Sequence, residues 1–252
     1  MSRTLVLGDV HGAFRALEQV FERAGFDPAT DRLISLGDLC DRWPEVDRCL
    51  DLMLEVDDLT LVLGNHDEWT LEWMRERMVD RWWFTVGGDG TVESYVRRAD
   101  APSPGTLKEA MRIARTVPES HVALLESAVP YHIEPDGAGG ERLFTHAGWN
   151  VSRPPEEQNR HDLRMGRELW TRARLLAAGL ETGDDDAGPP SSLTPFDEVY
   201  LGHTPTDWLE PRAVLEIWNL DQGAGWDGVL TLLDVETKEY WQSDRVTELY
   251  GG

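Results

Sequence analysis

Five short segments of the chain concentrate side chains that bind metals or move protons. They read Gly8-Asp9-Val10-His11-Gly12, Gly37-Asp38-Leu39-Cys40-Asp41-Arg42, Gly64-Asn65-His66-Asp67, Thr145-His146-Ala147-Gly148 and Gly202-His203-Thr204-Pro205. Carboxylate oxygen mixed with imidazole nitrogen suits borderline divalent ions such as manganese, iron or zinc better than calcium or magnesium, which favour oxygen alone. Four of the seven histidines fall in these segments. Taken singly, His11 or His146 could be a satisfied structural histidine, and Asp9, Asp38 or Asn65 a turn or helix cap. Their joint occurrence at equivalent places makes them a candidate metal site.

The places are equivalent because each segment follows a short apolar run. Leu5-Val6-Leu7, Leu33-Ile34-Ser35-Leu36 and Leu59 to Leu63 each stop at a glycine, which reads as a buried strand ending in a tight turn. Between them lie helical patterns, one with Phe14, Leu17, Val20 and Phe21 on a single face and one with Val46, Cys49, Leu50, Met53 and Leu54. Such alternation predicts a layered α/β architecture whose ligands sit beyond the carboxyl ends of the strands.

A Trp-rich helical stretch from Glu68 to Phe84, followed by helical patterns over 106–117 and 119–128, predicts a small helical insertion at about 68–128. Its Trp69, Trp73, Trp82, Trp83 and Phe84 are expected to pack the inserted helices rather than stack a base. Apolar runs resume at Leu143-Phe144, Val199-Tyr200-Leu201, Ala213 to Trp218 and Val229 to Leu233, with one helix expected from Arg160 to Arg174. Gly, Asp, Pro, Ser and Thr dominate residues 181–195 and predict a flexible loop, in which Asp184-Asp185-Asp186 read as solvated charge. The chain, 1–252, is expected to form one domain.

Lys+Arg 24 against Asp+Glu 47 give a formal charge of -23, and 40% hydrophobic with 28% charged residues is a globular composition. That balance argues against binding nucleic-acid backbone, whose phosphates such a field repels beyond a Debye length of about 8 Å. An anionic substrate would need a strong local positive centre. No run approaches the roughly 18 apolar residues of a membrane span, and the apolar run at the amino terminus is too short for a signal peptide. A cytoplasmic protein without a membrane partner is expected. Cys40 and Cys49 match no redox or zinc spacing and read as small buried hydrophobes. His121, His132 and His161 receive no role.

In the order GDVHG, GDLCDR, GNHD, THAG and GHTP, the sequence resembles the metal-dependent calcineurin-like phosphoesterases, specifically the phosphoprotein phosphatase branch with its bacterial and phage members. The likeness continues in Trp83 with Gly87-Gly88 and Thr91 to Tyr95, in Leu169-Trp170-Thr171-Arg172, and in Asp221-Gln222-Gly223-Ala224-Gly225, so it covers nearly the whole chain. It implies a four-layer α/β/β/α sandwich of two mixed sheets with a dimetal site where strand ends meet. It also implies that Asp9, His11 and Asp38 bind one divalent ion while Asp38, Asn65, His146 and His203 bind a second, with manganese first and iron or zinc as alternatives. Two such ions against the carboxylates Asp9 and Asp38 would leave about two positive charges, which is the local centre the composition demands.

By the same resemblance His66 is a general acid oriented by Asp41, and water activated by the ions attacks in line. Arg42 and Arg172 would grip phosphate oxygens through the paired donors of a guanidinium. The implied substrate is a phosphomonoester, phosphoserine or phosphothreonine on a protein. Diadenosine tetraphosphate is the alternative, then an RNA-end phosphoester, then an inert phosphate-binding module. Three positions depart from the pattern. Trp43 stands where the second motif ordinarily closes in glycine, which bears on the loop carrying Arg42. Asp67 replaces the commoner glutamate, and Pro205 stands where many cyclic-nucleotide relatives carry a second histidine, which favours the phosphatase branch.

Overall fold

In the computed structural model, which describes residues 3–75, 81–179 and 191–251, side-chain alternation along the strands sets the layers. On β1 (Thr4–Leu7), Leu5 and Leu7 face one way and Val6 the other. Strand β1 pairs in parallel with β2 (Arg32–Ser35), which pairs in parallel with β3 (Asp58–Leu61). The antiparallel strands β9 (Thr231–Asp234) and β10 (Tyr240–Gln242) complete a mixed sheet of order β10-β9-β1-β2-β3. The second mixed sheet has the order β4-β5-β6-β8-β7, from Tyr131–Pro135, Glu141–Thr145, Glu198–Leu201, Ile217–Asn219 and Ala213–Val214 respectively.

The sheets pack face to face through Val6, Ile34 and Leu233 of one and Phe144 and Tyr200 of the other, the last two rings stacked 5.0 Å apart. Behind the first sheet, Leu5, Leu7 and Leu33 meet α1 (Phe14–Ala24), α2 (Val46–Met53), α3 (Asn65–Met74), α4 (Arg81–Trp83), α5 (Asp89–Arg98), α6 (Leu107–Ile113) and α7 (Glu119–Glu126). Behind the second, Leu143, Val199, Leu201 and Ile217 meet α8 (Arg160–Met165) and α9 (Glu168–Ala177). A short α10 (Val246–Tyr250) returns to the first core through Val246. The result is the expected four-layer sandwich. Each fully buried Leu, Ile, Val or Phe contributes about 1.5–3 kcal/mol, so the three interlayer cores hold the strand ends firmly.

Of the helices expected at about 68–128, those over 106–117 and 119–128 are present as α6 and α7, and the Trp-rich stretch contributes α3 and α4, with 76–80 outside the described residues. Helix α5 was not expected, and the inner faces belong to the first core through Trp73, Tyr95, Ile113 and Leu125. Several details differ from expectation. The run from Ala213 to Trp218 is a hairpin, turned at Leu215 with φ 55°. The helix expected from Arg160 to Arg174 is two, because the backbone at Gly166 is extended with ψ 130°. Strands β4 and β10 were not expected. Residues 191–195 carry no helix or strand, as expected of a loop, whereas 181–190, with Asp184-Asp185-Asp186, lie outside the described residues. No described helix is long and apolar enough to cross a membrane.

Candidate active site

All five motifs begin at or just beyond the carboxyl ends of β1, β2, β3, β5 and β6, and the turns there hold residues in an unusual backbone conformation. His11, Asp38, Asp41, Arg42 and His203 have φ of 52°, 51°, 73°, 69° and 64°. Left-handed geometry costs a non-glycine residue about 1–3 kcal/mol and persists where surrounding bonds over-determine it. Here Val10 and His11 donate to the Asp38 carbonyl at 3.0 and 2.8 Å, Arg42 N donates to Gly87 O at 2.7 Å, and His203 N donates to Asp9 Oδ2 at 3.0 Å, tying the two sheets together. Trp43 is accommodated by stacking on Tyr250, 4.8 Å between centroids, and by donating Nε1 to Ala224 O at 2.8 Å. The loop therefore still delivers Arg42 to the cleft.

Four imidazoles, those of His11, His66, His146 and His203, converge on the Asp38 carboxylate region. His11 donates Nδ1–H to Cys40 O at 3.1 Å and His146 donates Nδ1–H to Leu36 O at 2.8 Å. Those bonds aim Nε2 of His11 and His146 at Asp38 Oδ2, 3.6 and 3.5 Å away. Ligand atoms sharing one ion at bonds of about 2.1 Å are separated by about 3–3.5 Å. His146 Nε2 also lies 3.0 Å from Asn65 Oδ1, two atoms that a cation would join. His203 Nε2 and Asp9 Oδ1 are buried with no hydrogen-bond partner, although such atoms are nearly always satisfied. Groups able to hold an ion gather as His11, Asp38 and His66 and as Asp38, His146 and His203, with Asp38 common to both. Asp9 joins the first through its Oδ2, 4.0 Å from His11 Nε2. The donor set fits divalent metal. Glycine at 64 is required for it, since a Cβ there would overlap the Asp38 carboxylate and its backbone nitrogen.

The charges point the same way. Burial, with Asp221 and Asp38 adding to it, pushes the Asp9 carboxyl well above its ordinary range. Burial also raises Asp221 to about 6. Asp38 goes the other way: burial opposes it, but His146 and His66 hold it well below the usual carboxylate value. Burial pushes His11 well down and His203 to about 3, leaving both neutral with lone pairs to offer, whereas at His146 Asp38 overcomes burial and raises it to about 10. A buried cluster of this kind is short of positive charge.

Beside the cluster, His66 Nδ1 donates to Asp41 Oδ2 at 2.8 Å, which leaves its Nε2 for the cleft. Asp41 is fully buried and accepts three further bonds, from Trp83 Nε1 at 2.8 Å, Thr70 Oγ1 at 2.9 Å and Thr91 Oγ1 at 2.7 Å. Burial lowers His66, but Asp38 and the bond to Asp41 outweigh it, so the net shift is upward. Asp67 turns back to accept from Gly64 N at 3.2 Å and Cys40 N at 3.1 Å, which caps α3 and pins the second motif to the third.

The cleft is a cavity of about 360 Å³ whose walls include His11, Asp38, Arg42, Asn65, His66 and His203. Asp9 and His146 lie buried at its base. Arg172 is not part of it: it lines a separate cavity of about 210 Å³ with Trp149, Asn150, Asp162 and Glu168. Arg167, the residue after the break at Gly166, lines the cleft, with Nη1 donating to Thr204 Oγ1 at 3.2 Å. Trp73 and Trp83 pack the inserted helices as expected, but Trp69 and Trp82 line the cavity, with Trp69 4.8 Å from the His66 ring. Sequence reasoning also left Asp221 and Trp226 without roles, and both stand in the cavity wall. The sequence signal for Asp221 is the family-like run Asp221-Gln222-Gly223-Ala224-Gly225, which Trp226 directly follows.

The profile of the family described as calcineurin-like phosphoesterase matches residues 2–207. The chain belongs to that family. The phosphoesterase is 28% identical over 232 residues to serine/threonine-protein phosphatase 1 of Salmonella typhimurium, covering 92% of this chain and 91% of the relative. It is 27% identical over 277 aligned positions to the symmetrical bis(5'-nucleosyl)-tetraphosphatase of Azotobacter vinelandii, covering 92% and 93%. In fold it is similar to a solved structure described as a candidate diadenosine tetraphosphatase, with TM-score 0.63, 17% identity and coverage of 96% and 92%. The phosphoesterase is a phosphoric ester hydrolase whose cleft carries groups able to hold metal.

Proposed function

We propose that the protein hydrolyses phosphomonoesters, with phosphoserine or phosphothreonine of proteins as substrate, at a dinuclear centre bridged by Asp38. Asp9 and His11 would complete one side and Asn65, His146 and His203 the other. The observation that carries this reading is the pair of buried, unpartnered atoms Asp9 Oδ1 and His203 Nε2 flanking a carboxylate already faced by two further imidazoles. Two divalent ions there, manganese in our reading, would supply positive charge toward phosphate and acidify water.

The chain's own groups do the rest. Arg42 offers a guanidinium without a carboxylate partner among the described residues, free to hold phosphate oxygens. His66 holds a proton on Nε2 for the departing alkoxide, because Asp41 fixes the ring through Nδ1 and favours its protonated form. Asp41 is in turn fixed by Trp83, Thr70 and Thr91. The aromatic wall of Trp69 and Trp82 narrows solvent access beside His66.

A second reading, hydrolysis of dinucleoside tetraphosphate, is favoured by two largely exposed rings in the cleft wall, Trp82 and Trp226, on which a base could stack. Purified protein loaded with manganese is assayed for metal content, then for kcat/KM on a phosphoserine peptide and on diadenosine tetraphosphate. Two ions per chain and preference for the peptide support the first reading; preference for the dinucleotide supports the second. A metal-loaded protein inert on both would overturn the two together.

A further inference from the structure

Trp226 is 59% exposed, an unusual place for so large an apolar side chain, yet its backbone is not loose. Trp226 N and Gly228 N both donate to Gly223 O at 2.9 Å, Gly223 N donates to Asp221 Oδ1 at 2.9 Å, and Val246 N donates to Gly228 O at 2.9 Å. Trp43 Nε1 grips the same loop at Ala224 O. Gly225 lets it pass close by, since a Cβ there would run into the His11 ring and the Arg42 side chain. The outcome of this bracing is that the Trp226 ring lies over the Arg42 guanidinium, whose Cζ is 3.9 Å from the ring centroid.

Arg42 needs such a hold. Its Nε is buried without a partner, and among the described residues no carboxylate forms an ion pair with the guanidinium. Asp38, Asp41, Asp221 and Asp9 all attract it electrostatically. A guanidinium on a flexible stem with no bonded partner to fix it samples many directions, and its donors are then seldom aimed at a substrate. Stacking on an aromatic face satisfies a guanidinium without occupying its in-plane N–H groups.

We propose that Trp226 is a positioning residue that holds Arg42 against the cleft wall with its donors directed at phosphate. The proposal rests on the phosphate-binding role given to Arg42 above. Trp226 acts through Arg42 and not by touching the phosphate itself, so the two residues are energetically one unit.

The test is a double-mutant cycle on the full, manganese-loaded chain, read by calorimetric titration with inorganic phosphate and by phosphate inhibition of p-nitrophenyl phosphate turnover. Trp226→Ala is expected to weaken phosphate between about twofold and thirtyfold. Trp226→Phe, which keeps a ring face, is expected to recover most of it. In an Arg42→Ala background the Trp226→Ala change is expected to alter phosphate affinity by less than about twofold. Equal losses in both backgrounds would overturn the proposal by placing Trp226 on the ligand. Unchanged affinity in Trp226→Ala would overturn it while leaving the role of Arg42 standing. A wild-type protein that does not bind phosphate, or an Arg42→Ala protein that binds it normally, would remove the role of Arg42 and this proposal with it. Because Trp226 lies on the surface, its replacement is not expected to impair folding.

Discussion

Replacing Asp41 by asparagine tests the acid half of the mechanism with little change in shape. Oδ2 accepts from His66 Nδ1 and Trp83 Nε1, whereas Oδ1 accepts from the Thr70 and Thr91 hydroxyls. An amide can keep its oxygen toward His66 and Trp83 and turn its NH2 toward the hydroxyls, which rotate to accept. All four bonds then survive without the charge. Hydrogen bonds to a charged group contribute about 1.5–3 kcal/mol and neutral ones about 0.5–1.5, so weakening the His66 and Trp83 bonds costs about 2 kcal/mol. For a chain of this size that lowers Tm by about 4–8 °C. Activity should fall further than stability, because losing an oriented acid costs about 10²–10⁴ in rate. The decisive comparison is between leaving groups. Phenyl phosphate expels a basic phenolate that needs a proton, whereas p-nitrophenyl phosphate expels a much weaker base. In Asp41→Asn, kcat should drop far more for phenyl phosphate than for p-nitrophenyl phosphate, with metal content unchanged. Equal losses on the two esters would refute the view that Asp41 works through a proton on His66.

Three further substitutions probe the geometry. Arg167→Ala should raise KM for p-nitrophenyl phosphate by up to about fivefold, as befits an exposed cation at the cleft, while Arg172→Ala should leave KM unchanged; the reverse pattern would restore Arg172 to the site. Gly64→Ala should force Asp38 aside, cutting bound manganese below two ions per chain and destabilising the fold by about 1–3 kcal/mol, as measured by metal analysis and denaturant unfolding. A Gly64→Ala protein with full metal content would show that the close approach to Asp38 is not needed.

The metal-site candidates were legible because each sits where a buried apolar run meets a glycine, and a strand end is one of the few places where sequence alone fixes direction. Asp9, Asp38 and Asn65 follow β1, β2 and β3, and His146 and His203 follow β5 and β6, so parallel pairing within each sheet and packing between sheets bring them together. Arg172 was assigned to phosphate by resemblance alone, with no strand end to fix its direction, and it lies along a separate cavity; the single helix expected around it is broken at Gly166, where ψ is extended. Strands β7, β8 and β10 are two or three residues each, too short for alternation to register. The bond from Trp83 to Asp41 joins positions 42 residues apart, and nothing local distinguishes Trp83 from its neighbour Trp82, which faces the cleft.

The five left-handed residues at the strand ends have a consequence for how such a chain can change. At His11, Asp38, Asp41, Arg42 and His203 the turn itself would be more at ease with glycine. Selection for heat resistance alone would therefore be drawn toward deleting these side chains, yielding descendants that fold more robustly and catalyse nothing. Positions where a library grown only for stability converges on glycine, while one grown for turnover refuses it, would trace the outline of the centre without any knowledge of its chemistry.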